Sequence, residues 1–279
     1  MLITWQDYNP EIFSKKELDY SRRIMTKVLQ KFFIKSVVVT GANRGIGLEL
    51  VRYFAKQNKL DGVSKTKVIS CSRRMSPELE ELLEEVHHVE LEVTDSKSLE
   101  NAVSKVSTIV GDEGLNLLIN NAAIMRHGKG SLGCTEAELT ETLNVNVTGI
   151  HSVTRKFHPL LKMGAAFQKH IPHSCARAAV LNISSELGSI QNTKNSFTTA
   201  YRVSKAAVNM LTKCASHDLV KDDIICLSVH PGWVRTDLGG PQAPLSAEES
   251  VADIVEMIEQ FTKEHNGMFV RKGLVAEPY

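Results

Sequence analysis

The stretch "VVVTGANRGIGLEL" at residues 37–50 joins a β-branched apolar run to a glycine-rich segment and then to an amphipathic pattern. The run is typical of a buried strand, while Ile46, Leu50 and Phe54 recur at helical spacing. Glycines between a strand and a helix let the backbone turn tightly and approach a pyrophosphate, which the free N–H groups of a helix N-terminus bind. An ordinary strand–helix turn also contains glycine, but the position after the first strand favours a dinucleotide-binding loop.

Strand-like and helix-like segments alternate along the rest of the chain. Short apolar runs typical of buried strands occur at 36–40, 67–72, 115–119, 179–184 and 224–229, with weaker candidates at 88–91 and 268–271. This alternation predicts one doubly wound α/β domain, with about seven parallel strands and helices on both faces. Ligands of such sheets bind beyond the carboxyl ends of the strands. The residues that follow each strand are therefore the candidates for a functional site.

Composition narrows the class of protein. The chain has 279 residues, 42% of them apolar, which suits one large α/β domain. Lys+Arg 33 against Asp+Glu 32 gives no electrostatic reason to expect a nucleic acid or an anionic membrane as partner. The five cysteines are scattered without CxxC spacing, so we expect neither a disulfide framework nor a metal site. No apolar run approaches the roughly 18 residues of a membrane span. We therefore expect the reducing cytoplasm.

Residues 1–34 are expected to form an extension that precedes a catalytic domain at 35–279. An amphipathic helix that packs on the domain or on a partner is predicted by the helical spacing of Ile24, Val28, Leu29 and Phe32. The opening residues lack the basic start and apolar core of a secretory signal, and acidic residues argue against a mitochondrial presequence. Met25 offers an alternative start, which would make the first 24 residues dispensable.

The glycine spacing GxxxGxG resembles the TGxxxGxG motif of the short-chain dehydrogenase/reductase family. Further motifs similar to those of the family follow in the family's order: "EVTD" at 92–95, "NNAA" at 120–123, "NVTG" at 146–149, "NISS" at 182–185, "YRVSK" at 201–205 and "HPGWVRTD" at 230–237. Their joint order is far more specific than any one motif. The chain is thus identified as a member of the family over about residues 36–275, which implies a Rossmann-type fold. Glu92 replaces the usual Asp, and Ala123 replaces the usual Gly.

Tyr201 and Lys205 are four positions apart, so on a helix both side chains leave the same face. A neighbouring ammonium stabilises phenolate and lowers the pKa of the phenol, so we expect Tyr201 to be a general acid tuned by Lys205. The resemblance implies that Ser185 holds and polarises the substrate carbonyl oxygen, and that Asn146 supports a water relay behind the lysine. Sixteen positions separate Ser185 from Tyr201, and the extra residues 190–199 are expected to form a loop over the substrate.

The resemblance also implies a nicotinamide cofactor. At the end of the second predicted strand, Ser72 occupies the place of the acidic residue that pairs with ribose hydroxyls in NAD-dependent members. Arg73 and Arg44 suit a 2′-phosphate through charge-assisted hydrogen bonds, which predicts NADPH; two solvated surface arginines are the alternative. The expected cofactor-binding residues are Gly41, Asn43, Arg44, Gly45, Ile46, Gly47, Arg73, Glu92, Val93, Asn121, Ala122, Tyr201, Lys205, Pro231, Gly232, Val234 and Thr236.

The segments "CARAAVLNISS" at 175–185, "PGWVRTDLGGPQAPLSAEES" at 231–250 and "HNGMF" at 265–269 resemble the sniffer-type carbonyl reductases. This group implies NADPH-dependent reduction of aldehydes, ketones or quinones. Trp233 is expected either to wall the substrate pocket or to pack in the core, and residues 238–250 are expected to form a mobile lid.

Other functions stay open at this point. A reductase for one steroid, retinoid or acyl substrate, a non-catalytic NADPH sensor, and a scaffold that binds a partner through its N-terminal segment are the alternatives. Family members often pair through two long helices, here about 136–160 and 199–219, so a homodimer is expected.

Overall fold

The structure is a computed structural model that describes residues 33–59, 65–126 and 130–279. The predicted N-terminal extension lies outside the described residues, apart from its last two positions. The strands are β1 Ser36–Thr40, β2 Lys67–Ser72, β3 Val86–Glu90, β4 Leu117–Asn120, β5 Ala179–Ile183, β6 Ile225–Val229, β7 Phe269–Arg271 and β8 Val275–Ala276. The α-helices are α1 Gly45–Gln57, α2 Pro77–Glu80, α3 Ser96–Val110, α4 Glu136–Leu143, α5 Ile150–Phe167, α6 Thr199–Leu219 and α7 Ala247–Gln260.

The strands form one sheet in the order β3-β2-β1-β4-β5-β6-β7-β8. All neighbouring pairs are parallel except β7 and β8, which are antiparallel. The predicted doubly wound parallel sheet is thus confirmed, with β8 added at one edge. The chain reverses its direction of winding between β1 and β4, and such a switch point is where ligands bind in this class of fold.

Alternate residues of each central strand face opposite layers of helices. Val37 packs in a cluster with Leu50 of α1 and Ile254 of α7, whereas Val38 packs in a second cluster with Phe157 of α5. Because both faces are covered, the strands are apolar throughout rather than alternating with polar residues. This double burial explains why the strand runs were visible in the sequence.

The segment expected to be one helix over about 136–160 has three parts. α4 ends at Leu143, a π-helix spans Asn144–Gly149, and α5 continues from Ile150. A π-helix widens the turn by one residue and is frequently found at functional sites. Its wider turn carries Asn146, which lies within the segment expected to be one regular helix.

The predicted lid over 238–250 extends too far. Ser246 caps the N-terminus of α7 by accepting a 3.1 Å hydrogen bond from the backbone N–H of Glu249, and Glu249 accepts from the N–H of Ser246 at 2.7 Å. This capping box begins α7 at Ala247, so the last four residues of the expected lid belong to a helix. Among the described residues, no helix has both the length and the apolar character needed to cross a membrane.

Candidate active site

Tyr201 and Lys205 lie on the buried face of α6, as their spacing requires. Their exposed fractions are 7% and 1%, although both side chains carry polar groups. The Nζ atom of Lys205 donates a 2.7 Å hydrogen bond to the carbonyl oxygen of Ile183 at the end of β5 and lies 5.4 Å from the centre of the Tyr201 ring. The ammonium is therefore held between the last residue of a central strand and the aromatic face.

Burial decides the protonation of this pair. It raises the pKa of Tyr201 above its ordinary value, and a hydrogen bond with Ser185 only partly offsets this effect. Burial also lowers the pKa of Lys205 to about 8. The net direction is thus opposite to the lowering expected from the ammonium, because burial removes hydration from the phenolate. At neutral pH Tyr201 is a protonated phenol that can donate its proton.

Ser185 is the second residue after β5 and the N-cap of the 3₁₀ turn Glu186–Gly188. Its Oγ accepts a 3.1 Å hydrogen bond from the backbone N–H of Leu187, and its hydroxyl lies close enough to Tyr201 to lower the pKa of the phenol. A Cβ on Gly188 would lie 2.6 Å from the carbonyl carbon of Lys205, so glycine lets the turn pack directly on α6. This close approach holds the serine hydroxyl beside the phenol.

The neighbouring serine has a different role. Ser184 is fully enclosed and donates a 2.6 Å hydrogen bond to Oδ1 of Asn209 on α6. Asn209 also accepts from Ser228 of β6 at 3.2 Å. Ser184 therefore joins the sheet to the helix, and Ser185 is the serine that faces Tyr201.

Asn146 connects the loop after β4 to α6. Its Oδ1 accepts a 2.8 Å hydrogen bond from the N–H of Ile124, and its Nδ2 donates to the carbonyl oxygen of Ile124 at 2.9 Å and to Oγ of Ser204 at 3.0 Å. Ser204 in turn donates to the carbonyl oxygen of Tyr201 at 2.7 Å. Sequence reasoning named Asn146 but missed Ser204, whose position between the tyrosine and the lysine was the available signal.

The glycine-rich loop lies against the segment that follows β6. Gly45 has φ +55° and its Cβ would lie 3.1 Å from Cγ2 of Thr236, so a side chain would fill the cleft between the two loops. Arg44, the N-cap of α1, makes no side-chain capping bond to the described residues of that helix. A helix N-terminus behind a narrow cleft fits the pyrophosphate of a dinucleotide.

Asn121 and Ala122 connect β4 to β1 at the switch point. Nδ2 of Asn121 donates to the carbonyl oxygens of Thr40 at 2.9 Å and Gly41 at 3.2 Å, and Oγ1 of Thr40 accepts from the N–H groups of Asn121 and Ala122 at 3.0 and 3.1 Å. Thr40 was missed as a site residue, although it directly precedes the first glycine. It fixes the loop on which Gly41, Asn43, Ile46 and Gly47 lie.

The two arginines expected at a 2′-phosphate both lie beside a carboxylate. NH1 of Arg44 is 2.8 Å from Oδ2 of Asp237, and NH1 of Arg73 is 3.6 Å from Oε2 of Glu92. Glu92 also accepts hydrogen bonds from N and Oγ1 of Thr94 at 3.1 and 2.8 Å. The arginine side chains are 66% and 70% exposed, so neither is used for packing.

Val93, another expected cofactor contact, is buried in the sheet's second apolar cluster, where a Cβ on Gly149 would lie 2.8 Å from it. Ser72, at the end of β2, is buried and donates to the carbonyl oxygen of Arg74 at 2.8 Å. The carboxyl end of β2 thus presents a neutral hydroxyl and an exposed arginine, where an acidic side chain would repel a phosphate.

Hydrogen bonds organise the segment after β6. Nε1 of Trp233 donates to the carbonyl oxygen of Gly239 at 2.7 Å, Val234 pairs with Leu245, and Ser250 donates to the carbonyl oxygen of Pro231 at 2.7 Å. Trp233 is 53% exposed, so core packing is the wrong alternative for its side chain. Its indole is free to contact a ligand beside Gly232 and Thr236.

Comparisons with known proteins agree with this geometry. A family model described as short chain dehydrogenase matches residues 35–245. The solved carbonyl reductase Sniffer of Drosophila melanogaster is 33% identical, with 88% of this chain and 100% of that chain covered and a TM-score of 0.83. An NADPH-bound carbonyl reductase from chicken fatty liver is also 33% identical, covers 88% and 99% and has a TM-score of 0.79.

A fungal relative is described as a member of the same family. The short-chain dehydrogenase/reductase AacuF of Aspergillus aculeatus is 29% identical over 271 residues, which cover 84% of this chain and 96% of that protein. The family model spans well over half of the chain, and it includes the glycine-rich loop and the tyrosine–lysine pair. The chain therefore belongs to the short-chain dehydrogenase family, within which it resembles the Sniffer-type carbonyl reductases.

Proposed function

We propose that this protein is an NADPH-dependent carbonyl reductase that converts aldehydes, ketones or quinones to alcohols. The observation that carries the proposal is the buried side chain of Tyr201, which lies beside Ser185 and 5.4 Å from the Nζ atom of Lys205. The phenol is protonated at neutral pH, so it has the proton that reduction requires at the carbonyl oxygen.

Each side chain has a defined task in this reaction. Ser185 donates a hydrogen bond to the substrate carbonyl oxygen and stabilises the negative charge that develops there. Tyr201 transfers its proton to the same oxygen, and the ammonium of Lys205 stabilises the phenolate that remains. When bound, NADPH supplies the hydride that the carbonyl carbon accepts. Hydride and proton together convert the carbonyl to an alcohol, with Tyr201 reprotonated from solvent.

The residues present fit this cofactor. The Gly45 cleft and the N-terminus of α1 would hold the pyrophosphate, while Arg44 and Arg73 would bind the 2′-phosphate. Val234 and Thr236 would border the nicotinamide, and Ser72 leaves the end of β2 without an acidic side chain. The chicken relative, whose structure contains NADPH, supports the choice of this cofactor.

The proposal is tested by following the oxidation of NADPH and NADH with a quinone and with a reactive dicarbonyl. Wild-type protein is expected to oxidise NADPH faster than NADH, and Tyr201→Phe should lower kcat by about 10²- to 10⁴-fold because the proton donor is lost. Tyr53→Phe on α1 is the matched control, since Tyr53 packs beside Phe54 away from the site and should keep full activity.

Other outcomes would contradict parts of the proposal. A preference for NADH would mean that Arg44 and Arg73 are solvated surface charges that bind no 2′-phosphate. Tight binding of NADPH without turnover of any carbonyl compound would favour a sensor, and turnover of a single steroid, retinoid or acyl compound would favour a narrow dehydrogenase.

We also propose that the protein forms a homodimer through the outer faces of the helical segment 136–160 and of α6. Val203 and Met210 are 44% and 64% exposed, and their spacing of seven residues places them on one face of α6. Light scattering of Met210→Glu should give a monomer mass where the wild type gives a dimer. A wild-type monomer would refute this arrangement.

Residues 1–24 are proposed to be dispensable for catalysis, since the compact unit that holds the site begins at Ile34. A protein that begins at Met25 should retain turnover. A scaffold function would instead be indicated if this shortened protein no longer bound a specific partner while its turnover stayed unchanged.

A further inference from the structure

The ion pair between Arg44 and Asp237 joins two loops that both border the proposed cofactor cleft. Arg44 lies in the glycine-rich loop, and Asp237 lies 193 positions later in the segment after β6. The contact between NH1 and Oδ2 is 2.8 Å long. Gly45 and Thr236, the neighbours of these two residues, are also in contact range, so the two loops face each other across this cleft.

Asp237 is presented at this position by an ordered backbone. The N–H of Gly239 donates to Oγ1 of Thr236 at 3.1 Å, and the N–H of Gly240 donates to the carbonyl oxygen of Thr236 at 2.8 Å. Trp233 adds its bond to the carbonyl oxygen of Gly239. The carboxylate therefore stays close to Arg44, because its loop is folded on itself and not because of the ion pair alone.

On the basis of the proposed use of NADPH, we propose that Asp237 is a specificity-determining residue that competes with the 2′-phosphate of the cofactor for Arg44. The guanidinium would bind a phosphate with a charge near −2 where it now binds a carboxylate with a charge of −1. If the carboxylate leaves, its ion pair is lost; if it remains, two like charges lie within one guanidinium width. In both cases the affinity for NADPH is lowered, and the affinity for NADH, which has no 2′-phosphate, is unchanged.

The exposure of the two side chains determines whether removal of the Asp237 charge strengthens or weakens NADPH binding. The side chains of Arg44 and Asp237 are 66% and 74% exposed, so the ion pair orders Arg44 only weakly and its loss costs little in positioning. The negative charge of Asp237, by contrast, opposes a phosphate at the same guanidinium. Removal of that charge should therefore strengthen NADPH binding.

The second arginine is a less suitable site for such competition. Glu92 lies farther from Arg73, at 3.6 Å, and Thr94 already donates two hydrogen bonds to it. A carboxylate with those partners keeps its position and leaves more of the Arg73 donors for a phosphate. Asp237 is thus the stronger competitor. Its effect on affinity would speed the release of NADP⁺, a step that limits turnover in many enzymes.

The test measures equilibrium binding and needs no substrate. Dissociation constants of NADPH and NADH are determined by fluorescence titration for the wild type, Asp237→Asn and Asp253→Asn. Asp253 lies on α7, forms a 2.8 Å ion pair with Lys272 and serves as a control for the loss of a paired carboxylate. Asp237→Asn is expected to bind NADPH about two- to five-fold more tightly, with NADH unchanged. The gain should shrink at high salt, and the control should match the wild type.

A double variant tests the route through Arg44. Arg44→Met should weaken NADPH binding, and the further change Asp237→Asn should then have no effect on it. An unchanged or weaker NADPH affinity in Asp237→Asn, an equal change for both cofactors, or tightening that persists in the Arg44→Met background would overturn the inference while leaving carbonyl reduction intact. A wild type that binds no NADPH would overturn both proposals.

Discussion

The Nζ atom of Lys205 lies 5.4 Å from the centre of the Tyr201 ring, and burial lowers the pKa of this lysine to about 8. Tyr201 has its pKa raised by the same burial, so the pair at neutral pH consists of a neutral phenol and an ammonium that is close to its own titration. The protonation state of Lys205, and not that of Tyr201, is therefore expected to govern activity on the alkaline side.

Carbonyl reduction should lose rate as pH rises through about 8, because deprotonated Lys205 no longer stabilises the phenolate that Tyr201 becomes. A profile of kcat/KM between pH 6 and pH 10 checks this. In Lys205→Arg the guanidinium stays protonated over this range. Its residual activity should therefore lack the alkaline decline. A flat wild-type profile up to pH 10 would contradict the assignment of Lys205.

Lys205→Met should make the protein more stable at neutral pH while abolishing reduction. The folded-state pKa of about 8 lies below the ordinary value of 10.5, so the unfolded chain binds more protons between these two pH values. The destabilisation from burying the ammonium is thus complete below pH 8 and disappears as pH rises towards 10.5. We expect a gain of roughly 1–3 kcal/mol in the free energy of unfolding at pH 7, less the lost hydrogen bond to Ile183.

Urea unfolding at pH 7 and pH 10 measures this difference. The difference in the free energy of unfolding between Lys205→Met and the wild type should be smaller at the higher pH. An equal gap at both values would mean that desolvation of the ammonium is not its source.

Gly188→Ala should separate Ser185 from Tyr201. The new Cβ would lie 2.6 Å from the carbonyl carbon of Lys205, which forces the 3₁₀ turn away from α6. We expect kcat to fall at least about ten-fold and stability to fall by about 1–3 kcal/mol, as in other overpacked sites. Steady-state kinetics and thermal unfolding give both values.

Gly273→Ala is the control for this substitution. Gly273 has φ +73°, and a Cβ there would meet no heavy atom within 4 Å among the described residues. It should lose about 1 kcal/mol from backbone strain and keep its activity. Equal loss of activity in both variants would argue against a specific role for the Gly188 contact.

Asn146→Leu should destabilise the protein by about 1–3 kcal/mol, because the half-buried N–H and carbonyl groups of Ile124 lose their partners. Ser204→Ala removes one acceptor of the Asn146 amide and should have a smaller effect, about 1 kcal/mol. Denaturant unfolding compares the two. If Asn146→Leu keeps full stability and loses activity alone, its role in the site is chemical rather than structural.

Much of the fold and of the candidate site could be predicted because it depends on local patterns. Doubly buried strands leave apolar runs such as 36–40, and the glycines at the start of α1 are needed for a tight turn wherever that turn occurs. The spacing of Tyr201 and Lys205 predicts a shared helix face from geometry alone. The two-residue strand β8 and the π-helix at Asn144–Gly149 lie below the length at which periodicity can be read.

The alternation of strands and helices, the glycine-rich loop, and the order of the motifs that place this chain in its family all follow from local sequence patterns. The tertiary structure alone decided the direction of the Tyr201 pKa, because burial arises from packing among residues far apart in the chain. It also decided that Arg44 meets Asp237, which lies 193 positions away. Contacts of that separation depend on the winding of the whole sheet and leave no local pattern.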